Sequence, residues 1–181
     1  MITIKITGGP LWNEKDEEFV NIPPAVVHME HSLRAISKWE ARYTKPFLGR
    51  KLSPGEMLYY CYCMCVDEGV SPRIFYGLSK PQLEAVREYV NMPMTATWFS
   101  EDKETKPVRR KEIITSELVY FWMSSYGIDW QAQDWHFNRL MTLIRVCSEK
   151  SKPPKKVPKG KNLAQRRALN AARRKRLNTT G

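Results

Sequence analysis

The first thirty residues alternate between apolar and polar positions in a way that predicts paired β-strands. From Ile2 to Ile6, isoleucine alternates with Thr and Lys, so one face of an extended segment is apolar. Residues 18–22 can return antiparallel to this strand, with the glycine pair at 8–9 near the turn. We therefore predict an N-terminal β-hairpin that ends at the proline pair at 23–24.

Farther along, apolar residues recur at the spacing of amphipathic helices. Leu33, Ile36 and Trp39 predict a helix that starts near His31 and ends before Pro46. Two later segments carry the signature of a capped helix start, in which a serine is followed three residues later by Glu or Gln. They predict helices from Pro54 to about Asp67 and from residue 79 to just before Pro93, with a short turn or helix at 71–76 between them.

Two further helices are predicted near the end of the patterned region. Residues 111–126 are apolar around most of their circumference, so we expect this helix to be central and buried, with one face formed by Ile114, Leu118, Phe121 and Trp122. A helix at 129–149 carries an apolar stripe, and the pair should form an αα-hairpin. Its stripe comprises Phe137, Leu140, Met141, Ile144 and Cys147. Residues 94–98 are a candidate short strand.

These elements predict a mainly α fold of the α+β class. A small N-terminal β-hairpin (1–24) packs on a bundle of about five helices in a core domain (25–150), and the hairpin and core form one domain. Residues 151–181 follow as a Pro/Lys linker and a flexible basic arm, disordered or helical on binding.

Composition agrees with a folded, soluble chain. Of 181 residues, 42% are hydrophobic and 27% charged, and no apolar run approaches the roughly 18 residues of a membrane span. The N-terminus lacks the apolar region of a signal peptide, so we expect neither export by that route nor a membrane partner. A reducing cytosol also suits four cysteines without a disulfide framework.

The net charge of +11 is confined to the C-terminal arm. Residues 150–181 hold twelve Lys or Arg and no Asp or Glu, which leaves 18 basic and 19 acidic residues in 1–149. Such an arm binds either nucleic acid, DNA or RNA, or an acidic protein surface, and the charge alone does not select between them. The candidate contacts are Lys155, Lys156, Arg166, Arg167, Arg173, Arg174, Lys175 and Arg176.

The chain contains none of the common catalytic motifs. Phosphate-binding glycine loops, the nucleophile elbow and the zinc-protease motif are all missing, so we predict a non-enzymatic protein without cofactor or metal. Two alternatives carry less weight. His28 and His31 with nearby acids are a possible metal site in a nuclease or hydrolase, and Asp134 with His136 is a possible acid–base pair. The packing of polar side chains explains both groups more simply.

The cysteines are also interpreted as structural. Cys61, Cys63 and Cys65 alternate in a segment predicted to be helical, where they do not converge on one metal ion. No pair with Cys-x-x-Cys spacing is present, and Cys147 stands alone. We therefore expect small buried hydrophobic residues. The acidic run at 14–18 is interpreted as a solvated loop.

Six segments resemble a family of small proteins from tailed bacteriophages. They are 30–40 (EHSLRAISKWE), 45–48 (KPFL), 94–97 (MTAT), 112–123 (EIITSELVYFWM), 135–140 (WHFNRL) and 169–178 (LNAARRKRLN). The resemblance extends over nearly the whole chain and is to proteins of the tail assembly chaperone type. It implies binding to a virion structural protein, such as the tape-measure protein, in the bacterial host cytoplasm during phage assembly. It implies no catalytic residue.

The function predicted from the sequence is therefore a non-enzymatic phage tail assembly protein that binds another structural protein. The alternative is a nucleic-acid-binding structural or packaging protein that uses the basic arm.

Overall fold

The computed structural model describes residues 1–13, 17–99, 113–152 and 167–174. The chain divides into two compact units, Met1–Cys147 and Ser148–Gly181. The elements in chain order are β1 (Ile2–Ile6), β2 (Gly9–Asn13), β3 (Glu18–Ile22), β4 (Ala25–Met29), α1 (Leu33–Tyr43), α2 (Pro54–Met64), a 3₁₀ helix (Pro72–Gly77), α3 (Lys80–Asn91), α4 (Ser116–Ser125), a second 3₁₀ helix (Trp130–Asp134) and α5 (Phe137–Ser151). The predicted fold class, mainly α with a small antiparallel sheet at the N-terminus, is confirmed.

The predicted strand pairing is wrong, although both predicted strands exist. β1 pairs with β4, so that Ile2 lies opposite Met29, while β2 pairs with β3 and Gly9 lies opposite Ile22. The two ladders share one register and form a single long hairpin. It is interrupted at the proline pair at 23–24, because proline has no N–H to donate to a ladder. The strands thus continue to Met29, past the end of the hairpin predicted at residue 24.

A bend at this interruption turns Ile22 toward the body of the protein. Gly8, opposite the prolines, has φ 73°, and a Cβ atom there would lie 2.5 Å from the carbonyl oxygen of Ile22. Ile6 and Ile22 would face opposite sides of a regular ribbon. Instead both pack against Gly77, where an added Cβ would lie 3.0 and 3.1 Å from their Cγ2 atoms.

The serine caps predicted for two helices are present. Ser53 N–H donates to the Glu56 carboxylate at 2.8 Å, and the Ser53 hydroxyl accepts from Glu56 N–H at 3.3 Å. At the start of α3, Ser79 N–H donates to Oε1 of Gln82 at 2.9 Å.

Helix α2 ends three residues before the predicted Asp67, because the chain turns to pair with β4. Glu30 N–H donates to the Met64 carbonyl at 2.8 Å, and Val66 N–H donates to the His28 carbonyl at 2.9 Å. Residues 64–66 therefore extend the sheet at one edge of β4.

Helix α4 differs from its prediction in both its start and its buried face. Residues 113–115 are not helical, and the helix starts at Ser116, whose N–H donates to the buried Glu40 carboxylate at 2.7 Å. Val119 and Met123 are buried, whereas Phe121 is 64% exposed. Since apolar residues surround most of this helix, the pattern alone did not identify the face that packs on the core.

The helix predicted at 129–149 is divided into a 3₁₀ helix and α5. Phe137, Leu140 and Ile144 are buried, as the predicted stripe requires, and Met141 packs against them at the edge of the core.

The strand predicted at 94–98 is wrong. Residues 92–99 have no regular secondary structure, and Met94 has φ 50°, outside the range of a β-strand.

The core lies where the buried face of the hairpin meets the helices. Its largest fully buried side chains include Trp39, Tyr60, Phe75, Leu33, Met64 and Leu140. Within the described part of the chain, no helix combines the length and apolar character needed to cross a membrane.

Candidate functional site

The outer half of the hairpin exposes large apolar side chains. Trp12 and Phe19 lie directly opposite each other on β2 and β3, and their rings meet edge to face with centroids 5.0 Å apart. Trp12 is 48% exposed and Phe19 70%, and Leu11, on the other face of the ribbon, is also exposed. We call Trp12 and Phe19 the hairpin patch.

The outer half of the hairpin is anchored to the body at Ile22, and not by packing around Trp12 and Phe19. Ile22 is buried against Gly77, whereas residues 9–12 and 18–21 are exposed or half-exposed. A two-stranded ribbon without a covered apolar face is marginally stable in water. The aromatic pair stabilises it, and a surface that covers the patch would stabilise it further.

Trp12 and Phe19 do not stand out in the sequence when β1 is taken as the partner of residues 18–22. The short connection between β2 and β3 is the signal that identifies the aromatic pair. Hairpins close preferentially through short loops, so residues 9–13 are a better partner for β3 than residues 2–6.

The two histidines of the possible metal site have separate partners. His28, on β4, places Nδ1 3.0 Å from Oδ1 of Asp67, and its backbone N–H donates to Oδ2 at 2.7 Å. That backbone hydrogen bond, with the imidazole, lowers the pKa of Asp67. His31 is buried beside Tyr60, with 2.5 Å between Nδ1 and the phenolic oxygen. Among the described residues, no group of three or more His, Cys, Asp or Glu is placed to hold a metal ion.

Asp134 and His136, the possible acid–base pair, are bound to different groups. The Asp134 carboxylate accepts from Nε and Nη2 of Arg34 at 2.7 and 2.9 Å. His136 donates through Nε2 to the Tyr89 carbonyl at 3.1 Å, while its Nδ1 accepts from Asn138 N–H at 3.3 Å. Both ring nitrogens are therefore occupied by backbone groups, which fits a structural role for neutral His136.

Burial keeps these imidazoles neutral. It lowers the pKa of His31 to about 3, with a further contribution from neighbouring His136. Burial also lowers the pKa of His136. A neutral, buried imidazole is poorly placed to exchange protons with a substrate.

Cys61 and Cys63 are buried, as expected, whereas Cys65 and Cys147, for which burial was also expected, are only half-buried. Burial raises the pKa of Cys61 and of Cys63 to about 12 and raises that of Cys65, which caps the helix. Cys63 and Cys65 line a pocket of about 410 Å³ together with Asp67 and Lys38. The raised pKa values disfavour the thiolate, which is the nucleophilic form.

The predicted basic contacts are placed only in part. Arg167, Arg173 and Arg174 lie on an exposed helix at 167–174. The others, Lys155, Lys156, Arg166, Lys175 and Arg176, lie outside the described residues.

No protein-family model, curated protein or solved structure matches the chain. The features that bear on function are therefore the hairpin patch, the buried histidines and the basic helix.

Proposed function

We propose that the protein is a non-enzymatic assembly protein of a tailed bacteriophage, of the tail assembly chaperone type. It acts in the host cytoplasm and binds the tape-measure protein through the hairpin patch. The observation that carries this proposal is the exposed Trp12–Phe19 pair on a ribbon that contributes little to the core. Exposed aromatic side chains of this kind are common anchors of protein interfaces.

Charge around the hairpin patch indicates the chemistry of the partner. Residues 14–18, which comprise the connection and the first residue of β3, include four acidic residues and one lysine, and Glu17 and Glu18 are exposed beside Phe19. An apolar segment flanked by basic residues would bury the aromatic pair and neutralise these carboxylates. We therefore expect the bound part of the tape-measure protein to have that composition.

The polar groups considered as catalytic candidates support the same proposal. His31 and His136 are buried, with their hydrogen bonds made to Tyr60 and to backbone groups. Asp134 is occupied by Arg34. These groups stabilise the fold, which leaves the exposed hairpin patch as the better candidate for function.

The test is co-expression of the chain with the tape-measure protein, followed by affinity purification and gel filtration. The wild-type chain should form a stable complex, and the double variant Trp12→Ala/Phe19→Ala should lose it. Since neither side chain belongs to the core, the helical signal in the far-UV circular dichroism of the variant should stay close to that of the wild type.

Trp98→Ala is the matched control. Trp98 is 91% exposed and lies outside the hairpin, so its removal should leave complex formation intact. Absence of a wild-type complex would contradict the proposed function. A complex that survives the double variant would reject the hairpin patch as the binding surface.

A further inference from the structure

The helix at 167–174 separates its basic and apolar residues onto two faces. At 3.6 residues per turn, Arg167, Asn170, Arg173 and Arg174 fall within an arc of about 120°. The opposite side carries Ala168, Leu169, Ala171 and Ala172. The helix therefore presents three guanidinium groups in one direction and has a narrow, mostly alanine back face.

These guanidinium groups are available to a ligand. Every residue from 167 to 174 is exposed, and within the described part of the chain no ion pair or hydrogen bond involves Arg167, Arg173 or Arg174. Residues 150–181 contain no Asp or Glu, and residues 1–149 are nearly balanced, with 18 basic and 19 acidic residues. Residues 1–149 thus carry no net negative charge that would attract the arm, and a polyanion on another molecule is the better candidate for its ligand.

The residue types fit acceptors that are bound through two hydrogen bonds at once, which phosphates and carboxylates both offer. All six basic residues at 150–161 are lysine, whereas five of the six at 166–176 are arginine. Arginine binds phosphate through two parallel hydrogen bonds, which lysine does not do. The most regular arrangement of phosphates that such a helix meets is a nucleic-acid duplex.

The shape of the helix favours DNA. A major groove about 12 Å wide admits an α-helix in B-form DNA, whereas the major groove of an RNA duplex is too deep and narrow to be read. Alanine at 168, 171 and 172 keeps the back of the helix slender. Arg167 and Arg174 lie about 10.5 Å apart along the axis, so they reach separate phosphates.

We propose that the arm binds double-stranded DNA, with the helix at 167–174 in the major groove and Arg167, Arg173 and Arg174 on phosphates. This function is independent of the hairpin patch and of the tape-measure protein. Since no residue that reads base edges is required, binding is not sequence-specific.

The test is fluorescence anisotropy of a labelled 25-base-pair DNA duplex titrated with the full chain at several salt concentrations. The wild-type chain should bind, with affinity falling steeply as salt rises. The variant Arg167→Gln/Arg173→Gln/Arg174→Gln should reduce the slope of log affinity against log salt by about 2.7, which is about 0.9 for each phosphate that is no longer neutralised.

Two further variants separate the helix from net charge. Lys5→Gln/Lys45→Gln/Lys51→Gln removes the same charge from exposed positions of the body and should leave the slope unchanged. Ala171→Pro keeps every charge but breaks the helix, and it should weaken binding at least several-fold if the helix enters the groove.

Four outcomes would overturn the proposal. The first is no DNA binding near physiological salt, and the second is an equal reduction of the salt slope in the body-lysine control. The third is wild-type affinity in Ala171→Pro, and the fourth is equal affinity for an RNA duplex of the same sequence. Binding to polyglutamate without binding to DNA would instead assign the arm to an acidic protein surface.

Discussion

The imidazole rings of His31 and His136 lie edge to face with centroids 5.1 Å apart, and together they connect the segment before α1 with the segment before α5. His31 directly precedes the cap of α1, and His136 directly precedes α5. The Phe137 N–H donates to the His31 carbonyl at 2.6 Å, so backbone and side chains join the same two segments. The nearby ring of Phe137 shields His31 from water.

Stability should fall in acid because these histidines are buried in the neutral form. The unfolded chain takes up a proton near pH 6.5, whereas the pKa of folded His31 is about 3. The contribution of neutral His31 to stability is complete above pH 6.5. Between pH 6.5 and pH 3, the free energy of unfolding should fall by about 1.4 kcal/mol for each pH unit of acidification. Urea unfolding at pH 4.5, 5.5 and 7.5 measures this slope.

His31→Gln separates this effect from general acid denaturation. Glutamine has no proton to gain, so the variant should be less stable at pH 7.5 but lose less stability on acidification. An unchanged pH slope in the variant would show that His31 is not the group responsible.

Glu40 should be required for the junction between α1, the following loop and α4. Its carboxylate is buried and accepts hydrogen bonds from Phe47 N–H at 2.8 Å and Ser116 N–H at 2.7 Å. Glu40→Gln replaces one of the two accepting oxygens by an amide NH₂ group, which cannot accept a hydrogen bond from the facing N–H. We expect a loss of about 1–3 kcal/mol in the free energy of unfolding, measured by urea denaturation.

Glu88→Gln on α3 is the matched control for this prediction. Glu88 is exposed, and the substitution should change the free energy of unfolding by less than about 0.5 kcal/mol. Equal effects of the two substitutions would reject the bridging role of Glu40.

Gly8 should be irreplaceable at the bend of the hairpin. Its φ of 73° is unfavourable for other residues, and an added Cβ would meet backbone atoms of Ile22, Pro23 and Pro24 at 2.5 to 2.9 Å. Gly8→Ala should destabilise the protein by more than about 1 kcal/mol, as measured by thermal unfolding. A melting temperature equal to that of the wild type would contradict the bend described for this glycine.

Gly55→Ala is a control for which the opposite change in stability is expected. Gly55 lies in the first turn of α2 with nothing within 4 Å of an added Cβ, and its φ is not positive. Alanine there should stabilise the protein by about 0.4–1 kcal/mol, because it reduces the freedom of the unfolded chain.

Local sequence signals predicted the capped helix starts but left the pairing of the strands open. Ser53 and Ser79 mark helix starts because a cap is made within four residues. By contrast, β1 pairs with β4 because the hairpin that begins at the β2–β3 connection continues in one register past the proline pair at 23–24. The start of α4 is held by Glu40, which is 76 residues away from Ser116 in the chain.

The candidate functional residues also differ in how far the sequence predicts them. The basic arm is evident from charge, since twelve cations without an acid stand out in any sequence. The hairpin patch is not, because Trp12 and Phe19 form a surface only when β2 pairs with β3. Exposure of aromatic residues follows from packing, which composition does not determine.

Thiol reactivity should distinguish the cysteines of α2 from the others. Cys61 and Cys63 are buried with pKa values of about 12, so little thiolate is present at pH 8, whereas Cys65 and Cys147 are partly exposed. Brief treatment with iodoacetamide, followed by peptide mass spectrometry, should label Cys61 and Cys63 at least tenfold more slowly in the folded chain than in urea. Rapid labelling of either residue under native conditions would show that α2 opens readily and would contradict its place in the core.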